Sequence, residues 1–165
     1  MRITFVIPLA NRSGGVRVVG ILADRLHRRG HEVTVVSSPE RPLTWRKLIM
    51  SRLRGRPAKE KVEGPHLKTA AYRRIVLDRC RPVEDADLPD ADAVIATWWS
   101  TAPGVARLSP AKGHKFYFVQ HHEVHAHLDA DRAAATYRLP LRKIAVSNWL
   151  AREMATHYDD HDVSV

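Results

Sequence analysis

The chain is poor in cysteine: Cys80 is the only one in 165 residues. A single thiol excludes an internal disulfide framework and any Cys₄ or Cys₂His₂ zinc site. Long apolar runs are missing too, and none approaches the roughly 18–20 residues of a membrane-spanning helix. The stretch from Ile3 to Ala10 is short, contains Pro8 and has no small-residue cleavage pattern after it. It therefore reads as part of the fold rather than as a secretory signal, and a cytoplasmic location is expected. The sequence also lacks G-x-G-x-x-G, a Walker A loop and H-E-x-x-H, so neither a standard dinucleotide site, a P-loop nor a zincin helix is indicated.

What the chain has in excess is positive charge. Lys and Arg number 27 against 18 Asp and Glu, a formal net charge of +9, and arginine accounts for 20 of the 27. Such a surface attracts phosphate as nucleic acid, nucleotide diphosphate or anionic lipid, and charge alone does not choose among them. With 44% apolar and 27% charged residues the composition is that of an ordinary globular domain.

The first forty residues carry the clearest pattern. Ile3-Thr4-Phe5-Val6-Ile7 is a strand-forming run stopped by Pro8, and Asn11-Arg12-Ser13-Gly14-Gly15 is a glycine-bearing loop. Val18, Ile21, Leu22 and Leu26 then recur at helical spacing until Gly30, and Val33 to Val36 reads as a second buried strand. Strand, loop, helix and strand in this order form a βαβ unit, which requires a parallel sheet covered by helices. Residues 41–57 read as a basic amphipathic helix carrying Trp45, and 58–72 as a polar loop or short helix. The alternation resumes with strands at Ile75–Leu77, Ala93–Thr97, Phe116–Val119, Lys143–Val146 and Asp162–Val165. Helices are expected within 98–108, over 131–139 and over 148–157, the last N-capped by Ser147 with Trp149, Leu150 and Met154 on its apolar side. The fold class is α/β: a Rossmann-like parallel sheet with helices on both faces, as one domain over residues 1–165.

In an open parallel sheet, ligands bind at the carboxyl ends of the strands. The unusual residues fall there: Asn11 to Gly15; Thr97, Trp98, Trp99 and Ser100; Gln120, His121, His122 and Glu123; and Ser147. Ser13-Gly14-Gly15 opens a helix and suits a diphosphate, or is simply a tight turn. His121, His122, His125 and His127 lack the spacing of a helical metal site. They form either a solvated loop or a loop in which one ring works on a hydroxyl. One of Trp98 and Trp99 is expected in the core, the other free to stack on a sugar or lipid headgroup. The basic segment 41–57 is either a covering helix or a peripheral contact with the inner face of a membrane. Cys80 is expected to be a small buried filler.

Taken in order, these residues resemble the N-terminal half of retaining GT-B glycosyltransferases of family 4. The resemblance runs from Arg2-Ile3-Thr4-Phe5-Val6-Ile7-Pro8 and Gly14-Gly15-Val16 to the phrase Arg29 to Ser37. It continues through Ala93 to Ala102, Phe118 to Glu123 and Thr136 to Leu150. It is nearest to branches acting on bacterial surface polysaccharides, rhamnosyltransferases among them. The resemblance implies an acceptor-side domain that works with a nucleotide-diphosphate sugar and a glycan or lipid-linked acceptor, needing no cofactor and no metal. Ser13, Gly14 and Gly15 would approach the donor diphosphate. A histidine matching His121 or His122 would contact the transferred sugar, and Asn11, Arg12, Trp98, Trp99, Ser100 and Glu123 would face the acceptor. The family's second, nucleotide-sugar domain is not represented in residues 1–165, so little transfer is expected from these residues alone. The rival reading is a non-enzymatic basic α/β module for nucleic acid or an anionic membrane, although no nucleic-acid motif supports the former.

Overall fold

The computed structural model describes residues 1–39, 49, 50, 53, 71–125 and 129–165. The basic segment 41–57 with Trp45, the stretch 58–70 and His127 lie mostly or wholly outside the described residues. Among the described residues seven strands form one sheet: β1 (Arg2–Leu9), β2 (Glu32–Ser38), β3 (Arg73–Val76), β4 (Ala93–Ala96), β5 (His114–Val119), β6 (Arg142–Ala145) and β7 (Val163–Ser164). Their order is β3-β2-β1-β4-β5-β6-β7 and every pairing is parallel. Four described helices cross between strands: α1 (Gly14–Arg28), α2 (Ala102–Arg107), α3 (Ala130–Thr136) and α4 (Asn148–Tyr158).

Strand periodicity divides the core into two layers. Ile3, Phe5, Ile7, Val33 and Val35 point to one face, where Val16, Val19 and Ala23 of α1 cover them. Val6, Val36, Val94, Tyr117 and Ala145 point to the other, against Ala102 and Val105 of α2 and Leu150 and Met154 of α4. Both faces are buried, which explains why these strands read as near-continuous apolar runs. The α/β Rossmann-like architecture with helices on both faces is thus present, and each expected strand is found, the third shifted two residues earlier, to Arg73.

Three expectations about packing need correction. The buried stripe of α1 is Val16, Val19, Gly20 and Ala23, with Leu22 and Leu26 partly covered. Val18 and Ile21 are exposed instead. Gly20 and Ala23 belong to the buried face although neither counts as a bulky apolar residue, so a periodicity weighted toward bulky side chains points to the wrong face. Trp149 is 49% exposed, because α4 buries the i, i+4 pair Leu150 and Met154. Cys80 is exposed rather than buried, with its thiol 3.5 Å from the Pro39 carbonyl.

Two glycines meet different demands. Gly113 leads into β5 with φ +80° and ψ −164°, a region essentially reserved for glycine. A Cβ there would lie 2.4 Å from the backbone carbonyl of Asp92. That carbonyl accepts the first β5 contact, from His114 N–H at 3.0 Å. At Gly14, by contrast, a Cβ would meet nothing within 4 Å. Gly113→Ala is expected to cost about 2–4 kcal/mol and lower the melting temperature by roughly 5–15 °C. Gly14→Ala is expected to leave stability within about 1 kcal/mol. Thermal unfolding followed by circular dichroism checks both, and equal effects would refute the distinction.

Candidate functional site at the carboxyl edge

The strand order reverses direction between β1 and β4, and the crevice at such a point is where open parallel sheets receive ligands. Local hydrogen bonds tie the loops that gather there. After β1, the Asn11 carboxamide oxygen accepts the Ser13 N–H at 2.9 Å, and Ser13 caps α1 by accepting the Val16 N–H at 3.5 Å. Arg12, Ser13 and Gly14 are exposed. The first amides of a helix have no intrahelical acceptor, so Gly14 and Gly15 present N–H groups and the positive end of the α1 dipole. No acidic residue stands in the first turn of α1 to neutralise it.

After β4, Thr97 donates through its hydroxyl to Val6 O at 3.0 Å, joining the two strands at the reversal point. The Thr101 hydroxyl accepts the Thr97 and Trp98 N–H groups at 3.2 Å each and donates to Trp98 O at 2.8 Å. Trp98 and Trp99 are both half-buried, so neither is a core residue, and Ser100 is exposed. The Arg132 guanidinium lies 5.9 Å from the centre of the Trp99 ring.

The loop after β5 separates the two histidines. His121 is exposed, and its Nδ1 lies 2.9 Å from His122 O. A carbonyl only accepts, so Nδ1 carries the proton and Nε2 remains available. His122 is turned into the fold: its Nε2 is 2.7 Å from the Tyr158 hydroxyl, and its ring lies 5.7 Å from that of Tyr137. Loss of solvation lowers its pKa from the ordinary histidine value, favouring the neutral ring. Among the described residues no three His, Cys, Asp or Glu side chains gather as a metal site.

Glu123 is 1% exposed, so its carboxylate does not line the open cleft. Its Oε2 accepts the Trp99 N–H at 2.8 Å and the Tyr117 hydroxyl at 3.3 Å. Desolvation raises its pKa to about 7, against the hydrogen bonds from Trp99 and Tyr117 that pull it down.

These loops form one connected rim. A Cβ on Gly15 would sit 3.3 Å from the Gln120 carboxamide, so the N-terminus of α1 meets the end of β5. Trp99 and Glu123 join β4 to β5, and Val146 N–H bonds to Val119 O at 3.3 Å to join β6. Ser147 caps α4 by accepting the Leu150 N–H at 3.3 Å. The sequence pattern puts Gln120 at this edge but gives no sign of its contact with Gly15. It gives none of Tyr137 either, whose hydroxyl donates to His121 O at 3.2 Å from the end of α3. A tyrosine after an alanine-rich helix carries no local signal of that reach. A separate groove of about 400 Å³ opens at the amino ends of β6 and β7. There Lys143 is paired with Asp160, so its main buried charge is already used within the fold.

The described residues thus form a doubly wound parallel domain whose carboxyl edge carries a helix N-terminus, the exposed His121 imidazole and two half-buried tryptophans. The family model for Glycosyltransferase Family 4 matches residues 12–165, and the chain belongs to that family. Among curated proteins, none matches it.

Burial of Glu123 sets a pH dependence. Its pKa of about 7 in the fold exceeds the ordinary 4.5, so the folded chain holds its proton more tightly than the unfolded chain. The stabilisation is complete below about pH 4.5 and is lost as pH rises through about 7, on the order of 3 kcal/mol. Asp85, Asp87 and Asp92 are held low by hydrogen bonds from Ser109, Arg81 and the Arg2 backbone, so they titrate in a separate, more acidic window. Glu123→Gln is expected to match the natural chain near pH 5 and to melt at higher temperature at pH 8. Parallel pH–stability curves for the two proteins would contradict this assignment.

Proposed function

We propose that residues 1–165 form the acceptor-side domain of a retaining GT-B glycosyltransferase. It would move a sugar from a nucleotide-diphosphate donor to a glycan or lipid-linked acceptor, in the manner of polysaccharide-building, rhamnosyl-type enzymes. The observation that carries the reading is the pairing, at one sheet edge of a family 4 domain, of the open α1 N-terminus with the exposed His121 imidazole. The Gly14 and Gly15 amides offer donors to a departing diphosphate, and a helix N-terminus stabilises the charge that develops on it. His121 Nε2 would accept a hydrogen bond from a sugar hydroxyl near the reacting carbon, a reading supported by its exposure and by the Nδ1 contact with His122 O. His122, committed to Tyr158, keeps the loop in register rather than touching ligand. Trp98, Trp99 and Ser100, with Asn11 and Arg12, line the same edge and supply the apolar and polar surfaces an acceptor glycan needs. Diphosphate recognition by amides and arginines needs no metal. The domain would work in the cytoplasm, at the inner face of the membrane where its acceptor is lipid-linked. Its partner across the cleft would be a second Rossmann-like domain holding most of the donor.

Inorganic pyrophosphate and the nucleoside diphosphates UDP, GDP and dTDP test this directly. Titrated into the 165-residue chain, they are expected to shift the Ser13, Gly14 and Gly15 amide resonances with weak, roughly millimolar affinity. Gly14→Asp should weaken that binding about tenfold while leaving the fold intact or slightly stabilised, because an acidic residue suits a helix N-terminus but repels a diphosphate. Shifts scattered over surface arginines, unaffected by Gly14→Asp, would remove the diphosphate reading.

A further inference from the structure

The loops of the carboxyl edge come from different strands, and one buried side chain joins two of them. Glu123 receives the Trp99 N–H on Oε2, fixing the turn after β4 to the turn after β5. The same oxygen receives the Tyr117 hydroxyl from within β5. Glu123 N–H donates to the Tyr137 hydroxyl at 2.9 Å, and that hydroxyl donates on to His121 O at 3.2 Å. Tyr117 and Tyr137, the two tyrosines bonded to Glu123, stack with ring centres 5.5 Å apart and planes 8° apart. A continuous hydrogen-bonded path therefore runs from the tryptophan turn, through Glu123 and Tyr137, to the backbone of the exposed histidine.

We propose that Glu123 is the positioning residue of this edge: it holds the Trp98–Ser100 turn against the His121 loop and sets their spacing. It acts through these two loops and touches no ligand. That the held loops receive a sugar rests on the glycosyltransferase reading; that Glu123 holds them does not.

The surroundings explain why one residue has this leverage. Among the described residues, no lysine, arginine or histidine forms an ion pair with Glu123. The titratable groups that face it are the Tyr117 and Tyr137 hydroxyls, both kept neutral by burial that raises their pKa values. Arg132 of α3 lies over the Trp99 ring rather than at the carboxylate, and His121, His122 and His125 are on the same loop. A buried carboxylate that meets no cation among the described residues relies on the N–H and O–H groups aimed at it, so those groups and the loops that carry them are held in return.

Nuclear magnetic resonance of the 165-residue chain tests the proposal without any sugar ligand. In the natural chain the Trp99 and Glu123 amide signals are expected to titrate together with a midpoint near pH 7. In Glu123→Gln the Trp99 amide should keep its protection from hydrogen exchange, since a carboxamide oxygen still accepts, but lose the titration. In Glu123→Ala the same amide should lose about tenfold to a hundredfold protection, the range for losing a hydrogen bond to a charged group. At pH 8 the His121 carbonyl carbon should also shift in that variant. Titration of Trp99 that persists in Glu123→Gln would overturn the proposal, as would unchanged Trp99 exchange and His121 carbonyl signals in a folded Glu123→Ala protein. If Glu123→Ala does not fold, the Gln variant decides alone. Failure of diphosphate binding with these signals behaving as stated would count against the glycosyltransferase reading only.

Discussion

All seven described strands run in one direction, and the rest of the architecture follows from that constraint. A parallel neighbour cannot be reached by a tight turn, so the described helices cross over the faces of the sheet. The crossovers cover both faces, and strand residues on both sides become apolar: Ile3, Phe5 and Ile7 on one, Val6 and Val94 on the other. Every strand also ends at the same edge. Loops there are released from the need to bury anything, and polar or strained residues can gather without weakening the core. The reversal of strand order between β1 and β4 then leaves a crevice at that edge, bridged by Thr97 to Val6.

The fold buries polar groups in two different ways. Lys143 and Asp160 bury opposite charges together, so each compensates the other's loss of water. Among the described residues Glu123 meets only neutral donors, and its loss of solvation appears as a raised pKa. A carboxylate in that position costs stability at neutral pH. It also fixes two loops from adjacent strands whose backbones have no ladder contact with each other beyond β4 and β5. The backbones of His121 and Trp99 are thereby tied to the same buried network.

Most of the fold was legible because parallel strands buried on both faces leave unbroken apolar runs, and helix boundaries carry chemical marks such as Ser13 and Ser147. The site was legible as a set of strand ends, again because topology dictates where loops gather. Side-chain direction was not legible. Val18 and Ile21 suggested a buried stripe that Val16, Val19, Gly20 and Ala23 occupy instead, and Trp149 stood one position away from the buried face of its helix. His121 and His122 are adjacent in the chain, yet one meets solvent and the other a tyrosine 36 residues further on.

The sequence by itself determined the alternation of strand and helix, the glycine-opened α1 and the clustering of polar residues at one edge, since these depend on local composition and spacing. Only the tertiary structure decided which histidine is exposed, that Glu123 faces inward, and that Tyr137 reaches the His121 backbone. Those outcomes depend on contacts between segments distant in the chain. A polar side chain in a loop has the same local pattern whether water or a buried N–H satisfies it, and packing alone selects between the two.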